Sequence, residues 1–127
     1  MGDGAVVHRI LVVEDESRIA AFMEKGFRKH GYSVTIARDG VEAVEKGLAE
    51  EFDLMLLDLG LPGKDGWVVL QELQAQGKRP PMVIIVTARD DIRDMMAGEH
   101  FNVNDYVTKP FGFNDLLDRV KKLLGGA

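Results

Sequence analysis

Short apolar runs alternate with amphipathic segments along the whole chain. The first run, Arg9–Val13 (RILVV), is continuous and rich in β-branched residues, which is typical of a strand buried on both faces. Comparable runs predict four more strands, at Ser33–Ala37, Phe52–Asp58, Met82–Thr87 and Asp105–Thr108.

The segments between these runs carry apolar residues at helical spacing. Helical spacing of three or four residues relates Ile19, Phe22, Met23 and Phe27, in a helix that Ser17 is predicted to cap and Gly31 to end. Further helices are predicted at Val41–Ala49, with Val41, Val44 and Leu48 on one face, and at Gly66–Gln76, Asp91–Phe101 and Asn114–Leu124.

This alternation predicts an α/β fold. Parallel strands joined by helical crossovers form a doubly wound (βα)5 sheet, and strands that are apolar throughout require helices on both faces. The expected architecture is therefore a three-layer sandwich. A length of 127 residues suits a single domain, residues 1–127, with a core from about residue 8 to residue 124 and flexible ends.

Composition excludes several classes of protein. The chain has no cysteine, which rules out disulfides and thiolate metal sites and fits a cytoplasmic location. A formal net charge of −5 argues against direct nucleic-acid binding. Apolar runs are too short for a membrane helix, and no signal peptide is visible at the start.

Polar residues collect where the predicted strands end. The first strand runs into Glu14-Asp15-Glu16, the third ends in Asp58 and the fourth ends in Thr87. The fifth leads into Lys109. The carboxyl ends of parallel strands meet at one edge of a sheet, where sites in such folds lie.

These residue types together suit phosphoryl transfer. Clustered carboxylates repel each other unless a cation lies among them, and oxygen-only ligands suit Mg²⁺. An aspartate beside Mg²⁺ can attack phosphorus, while a lysine and a hydroxyl bind phosphoryl oxygens.

Four segments carry a resemblance that spans nearly the whole chain. ILVVEDE, LMLLDLGLPGKDGW, IIVTARDD and NDYVTKPF look like the four signature segments of response-regulator receiver domains, in order and with that family's spacing. The resemblance implies a flavodoxin-like sheet of strand order 2-1-3-4-5 and a switch of two-component signal transduction.

The resemblance also implies a role for each matching residue. Asp58 would accept the phosphoryl group. Asp15 would bind Mg²⁺ directly and Glu14 through water, with the backbone carbonyl of Gly60 as a further ligand, and Mn²⁺ could substitute.

A second group of residues would bind the phosphoryl group and transmit its presence. Lys109 would pair with the phosphate oxygens, and Thr87 would bind the group and move inward with it. Tyr106 would follow Thr87 as a rotamer switch, and the Lys109–Pro110 bond would be cis.

The implied partners are a sensor histidine kinase or a phosphotransfer protein, and an output domain or partner protein. A stand-alone receiver and the amino-terminal domain of a winged-helix transcription regulator both fit, the latter somewhat better. Such regulators form homodimers through the fourth helix, fifth strand and fifth helix; Asp105, Asp115 and Arg119 match part of that set.

Other classes of function fit these residues less well. The preferred interpretation is a phosphoacceptor that catalyses only its own phosphorylation and dephosphorylation, rather than an enzyme acting on other substrates. A haloacid-dehalogenase-like hydrolase would need a second aspartate where Gly60 stands, and a flavodoxin-like cofactor binder would lack its phosphate loop after the first strand. A degenerate receiver that only binds partners would not need the full set of site residues.

Overall fold

The computed structural model of the protein describes residues 6–77, 81–88 and 103–125. Within them, five strands form one parallel sheet in the order β2-β1-β3-β4-β5. The strands are β1 Arg9–Val13, β2 Ser33–Ala37, β3 Leu54–Leu57, β4 Met82–Ala88 and β5 Asp105–Lys109. The described helices are α1 Ser17–Lys29, α2 Gly40–Ala49, α3 Gly66–Ala75 and α4 Phe113–Leu124.

The predicted fold is confirmed as a doubly wound, flavodoxin-like α/β sheet. Two parts of the prediction lie outside the described residues: the helix at Asp91–Phe101, and residues 1–5 and 126–127 of the predicted flexible ends.

The sheet separates two apolar cores because successive strand residues point to opposite faces. In β1, Ile10 and Val12 pack on the side of α1 and α4, while Leu11 and Val13 pack on the side of α2 and α3. All four are at most 1% exposed, so the sheet is covered on both faces and its edges are left to carry polar groups.

Two predictions about helix ends have different outcomes. Gly31 has a φ of 90° after α1 and its N–H donates to the carbonyl of Arg28, as a left-handed stop requires. The Ser17 cap is wrong: Ser17 is the first helical residue, the N-cap is Glu16 without a side-chain bond, and the Ser17 hydroxyl accepts instead from Arg38 at 3.3 Å.

The predicted apolar face of α2 is confirmed only at Val44, which is half-buried against the core on the α2 and α3 side. Val41 and Leu48 are 48% and 37% exposed, and the buried residues are Gly40, Ala43 and Gly47. The reason is close packing: a Cβ on Gly47 would lie 2.9 Å from the Leu73 Cδ2 atom of α3, so only small residues fit between these helices.

Smaller differences concern the ends of elements. The third strand is Leu54–Leu57, not Phe52–Asp58: Phe52 lies under the Arg9 guanidinium, 5.1 Å from the ring centroid. The Asp58 N–H still donates to the Val13 carbonyl at 3.1 Å, so Asp58 follows the strand directly.

Candidate functional site

Asp58 lies at the carboxyl end of β3 with its carboxylate 8% exposed. Its Oδ1 atom accepts a hydrogen bond from the Gly60 N–H and another from the Thr87 hydroxyl, both at 3.1 Å. Its Oδ2 atom accepts from the Lys109 ammonium at 2.9 Å. Residues from three parallel strand ends therefore meet on one carboxylate.

Glu14 is the most deeply buried acidic group of the site. Its side chain is 1% exposed, its Oε1 atom lies 2.8 Å from the Lys109 ammonium, and its Oε2 atom accepts from the Glu16 N–H at 3.0 Å. One lysine thus bridges two buried carboxylates, an arrangement that holds all three side chains in fixed positions.

Burial and pairing act in opposite directions on these groups. Burial raises the pKa of Glu14, and the hydrogen bond from Lys109 offsets only part of that rise. For Lys109, burial would lower the pKa, but hydrogen bonds to Glu14 and Asp58 outweigh it and leave the pKa above its ordinary value. Lys109 is therefore a cation at neutral pH.

A set of carboxylates around this lysine has the form of a metal site. Oxygen atoms of Glu14, Asp15 and Asp58 all lie within 4.8 Å of one another. Asp15 is exposed, whereas the other two are buried. A donor set made of carboxylate oxygens fits a hard divalent cation that keeps several waters.

Gly60 lies beside this set, on the loop that follows β3. The structure gives its N–H a role, as a donor to Asp58. The metal-ligand role of the Gly60 carbonyl stays a prediction.

The predicted switch residues lie on neighbouring strands. Thr87 is 1% exposed and pairs in register with Thr108 of β5. Tyr106, also on β5, is half-buried against the core on the α2 and α3 side. The Lys109–Pro110 peptide bond that follows is cis, as predicted.

The loop from Asp58 to Gly66 contains positions that sequence reasoning missed. Leu59 and Leu61 are 5% and 8% exposed, so they anchor the loop in the core. The Gly66 N–H donates to the Leu59 carbonyl at 3.1 Å. The sequence did contain one signal of close packing at this loop: Gly66 stands in the first turn of a predicted helix, although alanine has the higher helix propensity.

The family of this chain follows from its similarity to known proteins. Residues 10–121 match the response regulator receiver domain. The chain belongs to this family. Thr87 and Lys109 thus both contact Asp58 in a receiver domain of two-component response regulators.

Individual relatives agree with this classification. The chain is 41% identical over 116 residues to the transcriptional activator protein IrlR of Burkholderia pseudomallei, which covers 91% of this chain and 50% of that protein. The chain thus spans about half the length of the curated relatives it matches.

Solved structures of receiver domains are similar as well. The response regulator TrrA of Thermotoga maritima, in complex with Mg²⁺-BeF, is 33% identical with a TM-score of 0.80, covering 92% of this chain and 99% of that one. The receiver domain of the sensor histidine kinase PA1611 of Pseudomonas aeruginosa, with a magnesium ion in its active-site cleft, is 31% identical with a TM-score of 0.83, covering 95% and 100%.

Two further observations concern the residues predicted for a dimer and the length of the described helices. Arg119 of α4 pairs with Asp105 at 2.9 Å and with Asp115 at 3.2 Å, so Arg119 contacts both of the other residues named for a dimer within one chain. Among residues 6–77, 81–88 and 103–125, no helix has both the length and the apolar character needed to cross a bilayer.

Proposed function

We propose that Asp58 is the phosphoacceptor of this receiver domain and that its phosphorylation depends on Mg²⁺. The observation that carries the proposal is the convergence on one carboxylate of Lys109, the Thr87 hydroxyl and the Gly60 N–H. Each supplies a donor where the transferred phosphoryl oxygens would come to lie.

The transfer balances with the residues of this site. A carboxylate oxygen of Asp58 forms a bond to phosphorus, the bond from phosphorus to the nitrogen of a phosphohistidine breaks, and the leaving nitrogen takes up a proton. Lys109 stays protonated and pairs with phosphoryl oxygens as a point charge, which its raised pKa favours.

Glu14, Asp15, Asp58 and the Gly60 carbonyl would hold the metal ion, with Glu14 acting through water. Bound Mg²⁺, or Mn²⁺ in its place, neutralises negative charge on the phosphoryl oxygens. The fit rests on oxygen donors that lie within 4.8 Å of one another and on the excess of carboxylates over Lys109.

The signal would leave the site through Thr87 and Tyr106. Thr87 would exchange its bond to Asp58 for one to the phosphoryl group, and Tyr106 would change rotamer in response. The support is that Thr87 is buried, bonded to Asp58 and located on the strand next to Tyr106.

The proposed phosphodonor is a sensor histidine kinase or a phosphotransfer protein, and the controlled element is an output domain or a partner protein. Similarity to transcriptional regulators supports control of transcription. A homodimer through the predicted fourth helix, β5 and α4 is part of the proposal, with Asp105, Asp115 and Arg119 exchanging partners between subunits.

Residues 1–127 would form one receiver domain in the cytoplasm. The domain would not itself bind nucleic acid, in keeping with its net charge of −5. Its catalysis would be limited to its own phosphorylation and dephosphorylation.

The test is incubation with phosphoramidate and Mg²⁺, followed by intact-mass measurement. We expect one phosphoryl group per chain, labile in base, lost in Asp58→Asn and absent when the metal is chelated. Asp53→Asn is the matched control, because Asp53 is also an aspartate directly beside β3, at the opposite end of the strand. The Asp53 side chain accepts from the Arg9 N–H at 2.7 Å, and an asparagine oxygen can still accept that bond.

Other outcomes separate the alternatives. An adduct that persists in Asp58→Asn would contradict the assignment of the acceptor, and repeated turnover on phosphomonoesters would favour a hydrolase. The chain has two tyrosines, so ring signals of tyrosine-labelled protein report the switch, with Tyr32 as the reference for Tyr106. An adduct that leaves the Tyr106 signal unchanged would overturn the switch alone.

A further inference from the structure

Gly66, the first residue of α3, lies against the backbone of the proposed acceptor. It is buried, and it does not have a positive φ, so the backbone conformation does not require glycine. Alanine has the higher helix propensity. What requires glycine here is space.

A side chain at Gly66 would meet backbone atoms. An added Cβ would lie 2.9 Å from the Asp58 carbonyl oxygen, 3.1 Å from the Leu59 Cα and 2.9 Å from the Leu59 Cδ2. The leucine methyl can rotate away, but the carbonyl and the Cα move only if the peptide that follows Asp58 moves.

The adjoining peptide, between Leu59 and Gly60, is hydrogen-bonded to the Asp58 carboxylate. Its carbonyl, that of Leu59, accepts from the Gly66 N–H at 3.1 Å. Its N–H, that of Gly60, donates to the Asp58 Oδ1 atom at 3.1 Å. The start of α3 is itself fixed, because the Asp65 side chain accepts from the Val68 N–H at 3.0 Å. A displacement at Gly66 is therefore transmitted to the groups that orient Asp58.

We infer that Gly66 is a positioning residue for phosphoryl transfer, which acts by letting α3 begin in contact with the Asp58–Leu59 backbone. The inference rests on the proposed function of Asp58. A shift of the order of an ångström in such a site can reduce a rate about 100-fold.

Two other glycines give matched controls. A Cβ on Gly47 would lie 2.9 Å from the Leu73 Cδ2, a crowded contact with a flexible side chain away from the site. A Cβ on Gly40 would clash with the Lys64 carbonyl oxygen, a backbone contact at the far end of the same loop. Together they separate crowding as such, and strain in the loop, from strain at Asp58.

The experiment measures the rate of phosphorylation by phosphoramidate at saturating Mg²⁺, with the urea midpoint recorded for each variant. Gly66→Ala is expected to slow the reaction by about 10- to 100-fold. Gly47→Ala is expected to keep the wild-type rate whatever its midpoint, and Gly40→Ala to fall between them. Normalising the rate to the folded fraction separates positioning from stability.

If Gly66→Ala does not fold, the inference is tested by comparing Leu59→Ala with the double variant Leu59→Ala/Gly66→Ala. Leu59→Ala removes the side-chain contact, so Leu59→Ala/Gly66→Ala retains only the backbone contacts. We expect the double variant to be slower than Leu59→Ala alone, and equal rates would overturn the inference. Failure of the wild-type protein to form an adduct would instead refute the proposed function.

Discussion

Both edges of the sheet hold a basic side chain among carboxylates, in very different surroundings. At the carboxyl edge, Lys109 is 16% exposed and lies between Glu14 and Asp58, at 1% and 8%. At the amino edge, Arg9 and its partner Glu50 are 40% and 42% exposed. The same pairing of charges is therefore buried at one edge and hydrated at the other.

At the amino edge, the Arg9 side chain finds its partners within the protein. The Arg9 guanidinium donates to the Glu51 carbonyl at 2.9 Å, pairs with Glu50 and lies over the Phe52 ring. An open cavity of about 610 Å³ beside it, lined by His8, Met82 and Leu124 among others, admits water to these groups. Exposed pairs of this kind contribute little to stability.

The carboxyl edge, by contrast, has more buried acid than its lysine can neutralise. Glu14, Asp15 and Asp58 lie together, and Lys109 pairs with two of them. Uncompensated carboxylates in a partly dry site favour binding of a further cation. This difference explains why the candidate site lies at the carboxyl edge. The position of a group in the sheet determines how deeply it is buried, and a buried charge costs more free energy when it lacks a partner.

Removing the central cation at each edge gives the largest expected difference. Lys109→Met leaves Glu14 and Asp58 buried without their ammonium, and we expect it to lower the free energy of unfolding by about 3 kcal/mol in metal-free buffer. Arg9→Met is expected to cost about 1 kcal/mol or less. Urea unfolding followed by circular dichroism measures both.

Lys109→Met should also slow phosphorylation of Asp58 by about 100-fold, since it removes a preorganised charge. Arg9→Met should leave that rate unchanged. Equal stability costs at the two edges would mean that burial does not distinguish them as we argue.

Neutralising Asp15 tests the excess of acid. Asp15→Asn is expected to weaken Mg²⁺ binding by more than about 10-fold, the loss already typical of outer-shell changes. It should slightly stabilise the metal-free protein, because it relieves repulsion with Glu14 and Asp58. Isothermal titration calorimetry gives the first quantity and urea unfolding the second.

Glu16→Gln is the control for Asp15→Asn, as Glu16 is the exposed neighbour outside the carboxylate cluster. A Glu16→Gln variant that loses as much Mg²⁺ affinity as Asp15→Asn would indicate a diffuse surface effect rather than a site.

The smallest expected effect is a pH dependence at Glu14. Because its pKa is raised on folding, the native state binds the proton more readily than the unfolded chain. The stability associated with this is present below the ordinary value of 4.5 and is lost as the pH rises through the raised value. In metal-free buffer, Glu14→Gln should therefore gain stability relative to wild type as the pH rises through that window.

The charged groups near Glu14 are Lys109, Asp58 and Asp15, and all three are retained in this comparison. Glu51→Gln, which removes an exposed carboxylate at the amino edge, is the control. A stability difference between Glu14→Gln and wild type that does not change with pH would count against the shift.

Much of the site could be predicted because the end of a strand can be located from the local sequence alone. Asp58 and Thr87 directly follow apolar runs, and parallel pairing places such ends at one edge whatever the details of packing. Predictions that depended on close approach failed more often. The sequence pattern predicts Val41, Val44 and Leu48 on the apolar face of α2, whereas the fully buried residues of α2 are Gly40, Ala43 and Gly47, and Gly47 lies close to Leu73 of α3.

Local capping showed the same limit. Ser17 has the side chain of a good N-cap, yet the helix begins at Ser17 itself and the hydroxyl accepts from Arg38, 21 residues away. A hydrogen-bonding preference of one residue is decided by which partner the tertiary fold brings within reach.

The sequence alone determined the order of elements, the two-sided burial of the sheet and the residue types at its carboxyl edge, because each follows from periodicity and chain direction. Tertiary structure alone decided that Lys109 bridges Glu14 and Asp58, and that Gly66 lies 2.9 Å, measured from an added Cβ, from the Asp58 carbonyl. Such distances depend on how helices pack on the sheet, a sum of many contacts between residues far apart in the chain, which no local pattern records.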